Sequence, residues 1–341
     1  MKPTTSDDIF ELMDAYVTSA ALNAALELGL FWLLAEQPLD DTGVAQALDI
    51  PPNRCRRWLA LLSRTGLIEQ SARGYAPSSM AQTAILDAFS QETWAFLARE
   101  ARDRYPAVLD LAVHIRQPGS VWEAQGLTPP DYFAKLQDSP EWARQFTRML
   151  YEIHLPLADE LARMLDMQDV DRLLDLGGGS GVVSLALLHR HPGLSATVVD
   201  IANVCAAGRE IAAENGMEER IAYLALDFSQ EELPSGFDRV VACDVGPFDV
   251  DMHRRIRAAL RPGGRLVTVD QLASAEGVAP PTWVYWAFLA SLENPNSTRL
   301  TRAEFKSRLA QAGFQVLSER TVAPSEVLLW SSDWIVCEAQ K

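Results

Sequence analysis

Arg172-Leu173-Leu174-Asp175-Leu176-Gly177-Gly178-Gly179-Ser180-Gly181-Val182 decides the fold of this chain. It opens as a short, leucine-rich strand and breaks into glycines. It resumes as a helical pattern carrying Val183, Leu185, Leu187 and Leu188. Glycine lets the backbone turn sharply and come close to a ligand. The next strand, Ala196-Thr197-Val198-Val199-Asp200, ends in an acid 19 residues after Gly181. A carboxylate there is placed to accept both hydroxyls of a ribose. A third strand, residues 221–226, ends in Asp227-Phe228, an acid and an aromatic ring suited to gripping an adenine.

A dinucleotide fits this pattern poorly. The loop reads G-x-G-x-G, with Val182 where the dinucleotide fingerprint has its third glycine. Asp175, at the end of the first strand, repels a pyrophosphate but suits a sulfonium or ammonium group. Acids at three successive strand ends match a positively charged nucleoside.

Outward from the loop, strands and helices alternate from Asp171 onward. That rhythm predicts an α/β domain with a doubly wound, Rossmann-like parallel sheet. Residues 80–170 read as mainly helical. Trp142, Phe146, Met149, Ile153, Leu157 and Leu161 form one apolar stripe, in which Pro156 is expected to make a kink. The boundary between domains is placed near residue 168, giving a mainly helical part over 1–168 and a catalytic part over 169–341. Residues 9–28 read as a single helix with Gly29 as its stop. A short helix to Leu48, a second helix ending at Gly66 and a hairpin from Leu67 to Ala76 follow. Helix, turn, helix, hairpin is a winged-helix order.

The chain has 341 residues, with 30 basic against 46 acidic side chains and a net charge of -16. Such a chain is unattractive to nucleic-acid phosphates and to anionic membrane surfaces. Arg54, Arg56, Arg57 and Arg64 fall on the second helix of the winged-helix unit and keep a DNA-reading role open. The acidity, and the fusion to a larger domain, argue against it. Cys55, Cys205, Cys243 and Cys337 form no C-x-x-C pair, so no metal site is expected. The first residues lack the apolar core of a signal peptide. The most apolar window, residues 282–290, is far short of the roughly 20 residues of a membrane-spanning helix. A cytoplasmic protein is expected.

Residues 171–341 resemble the class I S-adenosylmethionine-dependent methyltransferases. The residues that carry the likeness are Leu174 to Gly181, Phe237-Asp238-Arg239-Val240-Val241 and Leu260-Arg261-Pro262-Gly263-Gly264-Arg265-Leu266. Ala312-Gly313-Phe314 and the strands after it resemble the terminal antiparallel hairpin. With its N-terminal unit, the whole chain resembles small-molecule O-methyltransferases of the plant phenolic, acetylserotonin and bacterial polyketide type. That resemblance implies S-adenosylmethionine as cofactor, a small-molecule substrate and an intertwined homodimer whose N-terminal unit helps close the pocket. It implies that Gly177 and Gly179 pass the methionine part of the cofactor and that Asp200 takes the ribose. Asp227 and Phe228 then take the adenine, with Cys243 beside them. Arg144 resembles a residue that pairs with the methionyl carboxylate.

One departure bears on mechanism. Phenol-methylating relatives carry His-Asp-Trp shortly after the fourth strand, and that histidine is the general base. Here the segment reads Asp244-Val245-Gly246-Pro247-Phe248-Asp249-Val250-Asp251-Met252-His253, with no histidine at the matching point. The substitutes are His154 on a pocket-facing helix, His253 on what reads as an exposed helix start, and Tyr151. Asp244 is placed to orient the acceptor. Phe146, Met149, Trp283 and Trp286 are candidates for the substrate wall. Oxygen is the favoured methyl acceptor. Sulfur or carbon acceptors, or a cofactor-binding relative turned to other chemistry, remain as alternatives.

Overall fold

The computed structural model describes residues 3–129, 131–246, 248–274, 284–322 and 334–341. The chain divides into two compact units, Met1–Leu109 and Asp110–Lys341.

The first unit is mostly helical: α1 (Ser6–Met13), α2 (Ala15–Glu27), α3 (Leu30–Glu36), α4 (Asp41–Ala47), α5 (Pro52–Arg64), the hairpin β1 (Ile68–Ser71) and β2 (Gly74–Pro77), α6 (Ser79–Ala81) and α7 (Gln91–Asp103). The helix expected over residues 9–28 is two helices. Asp14 sits between them at φ -91° and ψ 0°, with its N–H shared between Phe10 and Leu12 carbonyls. Gly29 ends the second in the left-handed region at φ 71°, as a helix-stopping glycine does. Leu30, Phe31, Leu34, Val44, Leu59, Leu62 and Ile68 build one core. α1 buries none of its residues.

The second unit begins with the helices α8 (Leu111–His114), α9 (Val121–Ala124), α10 (Tyr132–Asp138) and the long α11 (Pro140–Met164), which continues through Pro156 as one element. There follow β3 (Arg172–Leu176), α12 (Val182–Arg190), β4 (Ser195–Asp200), α13 (Ala202–Glu214), β5 (Ile221–Ala225), β6 (Phe237–Cys243), α14 (Val250–Ala259) and β7 (Leu260–Asp270). α15 (Val284–Glu293), α16 (Arg302–Gln311), β8 (Gln315–Val322) and β9 (Trp334–Gln340) complete it. The seven strands are ordered β5-β4-β3-β6-β7-β9-β8. The first five are parallel, and β9 and β8 add as an antiparallel edge.

Alternation along each strand sends side chains to opposite faces. Leu173, Val198, Val241 and Val267 meet Leu161 of α11 and Leu185 of α12 on one face. Their neighbours Leu174, Val199, Val240 and Leu266 meet Ile256 of α14 and Leu309 of α16 on the other. Both faces are covered, so the strands read as unbroken apolar runs. The division expected near residue 168 differs from the observed one. α11 shares its apolar stripe with the sheet, through Leu157, Ala158 and Leu161, so residues 110–168 group with the catalytic unit.

A candidate active site at the carboxyl ends of the strands

β3 delivers its chain into three glycines with left-handed backbone, Gly177 at φ 65°, Gly179 at 57° and Gly181 at 75°. Their conformations are those that L side chains avoid. A Cβ on Gly178 would fall 2.4 Å from the Asp175 carboxyl carbon, while the space beside Gly179 is open. The loop is therefore pressed onto Asp175 on one side and clear for a ligand on the other. Asp175 is buried and accepts a 2.7 Å hydrogen bond from the Ser184 hydroxyl. Its Oδ1 has no partner. Burial pushes its carboxyl up to about 6.

Asp200, at the end of β4, accepts from the N–H of Gly179 at 3.0 Å and from that of Ile201 at 2.8 Å. Each oxygen keeps a lone pair and so the capacity to accept one more hydrogen bond. Burial raises this carboxyl as well, against those two hydrogen bonds. Beyond it lies a cavity of about 380 Å³ lined by Gln137, Ile201, Asn203, Leu226, Asp227 and Glu231. The Asp227 carboxylate is anchored by the N–H and hydroxyl of Ser229, and the Phe228 ring stands perpendicular to Phe248 at 6.2 Å. An unpartnered buried carboxylate oxygen, an open glycine cradle and a row of anchored acids fit S-adenosylmethionine.

A second cavity, of about 320 Å³, opens at the ends of β6 and β7. Asp244, Val245, Asp270, Gln271, Trp286 and Arg299 are among its walls. Asp244 adopts a left-handed backbone at φ 54°, a conformation that costs energy for a residue with a side chain and clusters at functional sites. Its Oδ2 lies 3.3 Å from Nε2 of His154 on α11. The other ring nitrogen, Nδ1, lies 2.9 Å from the Leu150 carbonyl oxygen. A carbonyl only accepts, so Nδ1 carries a proton and Nε2 is left to exchange one with Asp244. Burial pushes Asp270 up to about 6 and pushes Arg299 down, the latter opposed by Asp270 and Asp244. Val245 joins this cavity to the glycine loop: a Cβ on Gly177 would meet Val245 Cγ1 at 2.6 Å.

Other residues singled out in the sequence line neither cavity. Arg144 is ion-paired to Glu210 on α13 at 2.7 Å, and Arg148 beside it bridges Glu210 and Glu214. Tyr151 donates to Asn215 Oδ1 at 3.3 Å, where α13 ends. His253 is fully buried rather than exposed. Its Nδ1 meets the Asp249 carbonyl at 2.7 Å, its ring lies between Phe248 and Phe305, and burial lowers its pKa. Phe146 stacks on Trp142 at 4.9 Å, and Met149 is buried. Cys243 closes β6, its thiol pushed well up by burial. Trp283 lies outside the described residues.

Asp270, Gln271 and Arg299 line this cavity and were not picked out in the sequence. Asp270 had a signal, since it is an acid at a strand end like Asp175 and Asp200. Gln271 and Arg299 had none.

The family model of the O-methyltransferase domain matches residues 108–315, and that of the O-methyltransferase dimerisation domain matches residues 10–87. The chain is 30% identical to the N,N-dimethyltransferase OxyT of Streptomyces rimosus over 339 residues, covering 96% of this chain and 94% of OxyT. It is 29% identical to 3-hydroxy-5-methyl-1-naphthoate 3-O-methyltransferase of Streptomyces sahachiroi, covering 86% and 84% of the two chains. The structure of human N-acetylserotonin methyltransferase in complex with S-adenosylmethionine superposes with a TM-score of 0.79 at 20% identity, covering 100% of this chain and 98% of that one. The fold is that of an S-adenosylmethionine-dependent methyltransferase. The chain belongs to the O-methyltransferase family, with that family's dimerisation domain at its N-terminal end.

Proposed function

We propose that this enzyme methylates an oxygen of a small, ring-bearing molecule seated between Asp244 and Asp270. The observation that carries the reading is Val245, which lines the acceptor cavity and at the same time packs on Gly177 of the cofactor cradle. One residue thus separates the two compartments. Relatives that act on a naphthoate and on acetylserotonin support a ring-bearing acceptor.

When bound, the cofactor supplies a methyl group on a positively charged sulfur. In this assignment Gly177 and Gly179 pass its methionine part, Asp200 holds the ribose hydroxyls, and Asp227 with Phe228 grips the adenine beside Cys243. The open space at Gly179 and the anchored carboxylates of Asp200 and Asp227 support these roles. Arg144, held by Glu210 through its Nε, is assigned to the methionyl carboxylate. Asp244 accepts the hydrogen bond of the acceptor hydroxyl. As the methyl carbon would part from the sulfonium sulfur, leaving a neutral thioether, and bond to the acceptor oxygen, the hydroxyl proton would pass to Asp244, whose Oδ2 faces His154 Nε2. Positioning supplies most of the acceleration. We also assign a homodimer, through the dimerisation domain, and a cytoplasmic location. Among the described residues no single helix is long and apolar enough to cross a membrane.

The test is transfer of a tritiated methyl group to a panel of phenols, amines, thiols and carbon acids. Label in an aryl ether supports the reading. Label confined to nitrogen, the chemistry named for OxyT, or to sulfur or carbon, overturns the choice of oxygen.

A further inference from the structure

Gln271 follows β7 and lines the acceptor cavity. Its backbone is fixed: the N–H donates to Asp270 Oδ1 at 2.7 Å, and the carbonyl accepts from Arg299 Nη1 at 2.7 Å. The residue is 1% exposed, yet neither Oε1 nor Nε2 of its side chain has a hydrogen-bond partner. A buried carboxamide left unpaired is expensive, and native proteins rarely keep one without a use. An apolar side chain of the same length would fill the space at lower cost. Polar groups placed sparingly in a pocket fix a ligand's orientation.

We infer that Gln271 is the residue that reads the acceptor, and that the acceptor carries a hydrogen-bond donor and a hydrogen-bond acceptor side by side next to the methylated hydroxyl. A primary carboxamide presents one N–H edge and one carbonyl edge in a single plane. Its full complement is another such pair, as in a carboxamide or a hydroxyl flanking a carbonyl on a ring. A lone phenol satisfies only one edge and leaves the other unpaired. Such pairing sets which hydroxyl faces Asp244, and so the position methylated. The inference rests on the assignment of this cavity to the acceptor.

The experiment uses the full chain saturated with S-adenosylhomocysteine. Calorimetry compares 3-hydroxy-2-naphthamide with 2-naphthol, in the wild type and in Gln271→Met. The wild type binds the amide at least tenfold more tightly than the naphthol. Gln271→Met binds the two within about twofold of each other, and without acceptor its melting temperature is equal to the wild type's or higher. Equal binding of the two by the wild type overturns the inference, and so does a tenfold preference that survives in Gln271→Met. A lower melting temperature in the variant also overturns it, because it shows a carboxamide satisfied within the fold. If neither compound binds while S-adenosylhomocysteine does, the inference fails and the methyltransferase reading stands.

Discussion

His154 Nε2 lies 3.3 Å from Asp244 Oδ2, across 90 residues of sequence, and joins α11 to the end of β6. The Leu150 carbonyl fixes the ring's tautomer from behind, and Asp244 alone of the pair lines the cavity. On the proposed reading the carboxylate is the group that meets the acceptor, and the histidine is its positioning partner. Asp244→Asn should slow single-turnover methyl transfer by about 10²–10⁴-fold, the usual worth of a general base, with cofactor affinity unchanged. His154→Ala should cost less, about 10–10²-fold. His154→Gln, which keeps a donor near Asp244, should recover most of the rate. A loss above about 10³-fold in His154→Ala would make the histidine itself the base.

Asp270 gives a pH signature without any substrate. Burial raises its carboxyl from 3.8 to about 6 in the folded chain. A raised acid holds its proton more tightly when folded, so its stabilising contribution is complete below the unfolded value. It is lost as pH rises through the folded value. Asp270→Asn removes that loss. Its stability relative to the wild type should grow by about 2 kcal/mol between pH 4 and pH 7. Urea unfolding at the two pH values measures this, and a difference that does not change with pH counts against a buried, proton-holding Asp270.

The core of the sheet carries a second electrostatic commitment. Glu338 of β9 is buried, with Arg239 and Arg265 each at 3.7 Å and Arg320 at 3.0 Å. Arg239 is itself buried, and its Nε and Nη1 lack hydrogen bonds. Glu338→Gln takes from that guanidinium its ion-pair partner. It should destabilise the fold by about 3–5 kcal/mol, read as a lower urea midpoint. A change under about 1 kcal/mol would show that the cluster is hydrated.

The N-terminal helices leave apolar surface in the open. Phe10 is 63% exposed and Met13 66%, with Ile9, Leu12 and Tyr16 exposed beside them, and exposed apolar surface of this kind marks an interaction site. Light scattering of the wild type should give twice 37.7 kDa, and Phe10→Glu with Met13→Glu should shift it toward the monomer. A wild-type monomer at micromolar concentration contradicts the dimer.

The sheet was legible because its signals are local. Leu173-Leu174 and Val198-Val199 are apolar on both faces, and glycine or an acid marks where each strand stops. The break at Asp14 was hidden, because the apolar spacing of residues 9–28 runs through it. His253 was misplaced by its neighbours Arg254 and Arg255, although Met252, His253, Ile256 and Ala259 share one buried stripe of α14. The partners of Arg144 and His154 were not legible. Glu210 and Asp244 lie 66 and 90 residues away, and only the folded sheet brings them near. Gln271 has no neighbour in sequence that marks it, since its distinction is the lack of a partner in space.

The most direct test of the account is calorimetric binding of S-adenosylhomocysteine to the unmodified chain and to Asp200→Ala. The cradle formed by Gly177, Gly179 and Asp200 predicts one site per chain, weakened in the variant by about 1–3 kcal/mol for the lost buried hydrogen-bond partner. No binding by the unmodified chain, or equal binding by the variant, would contradict it.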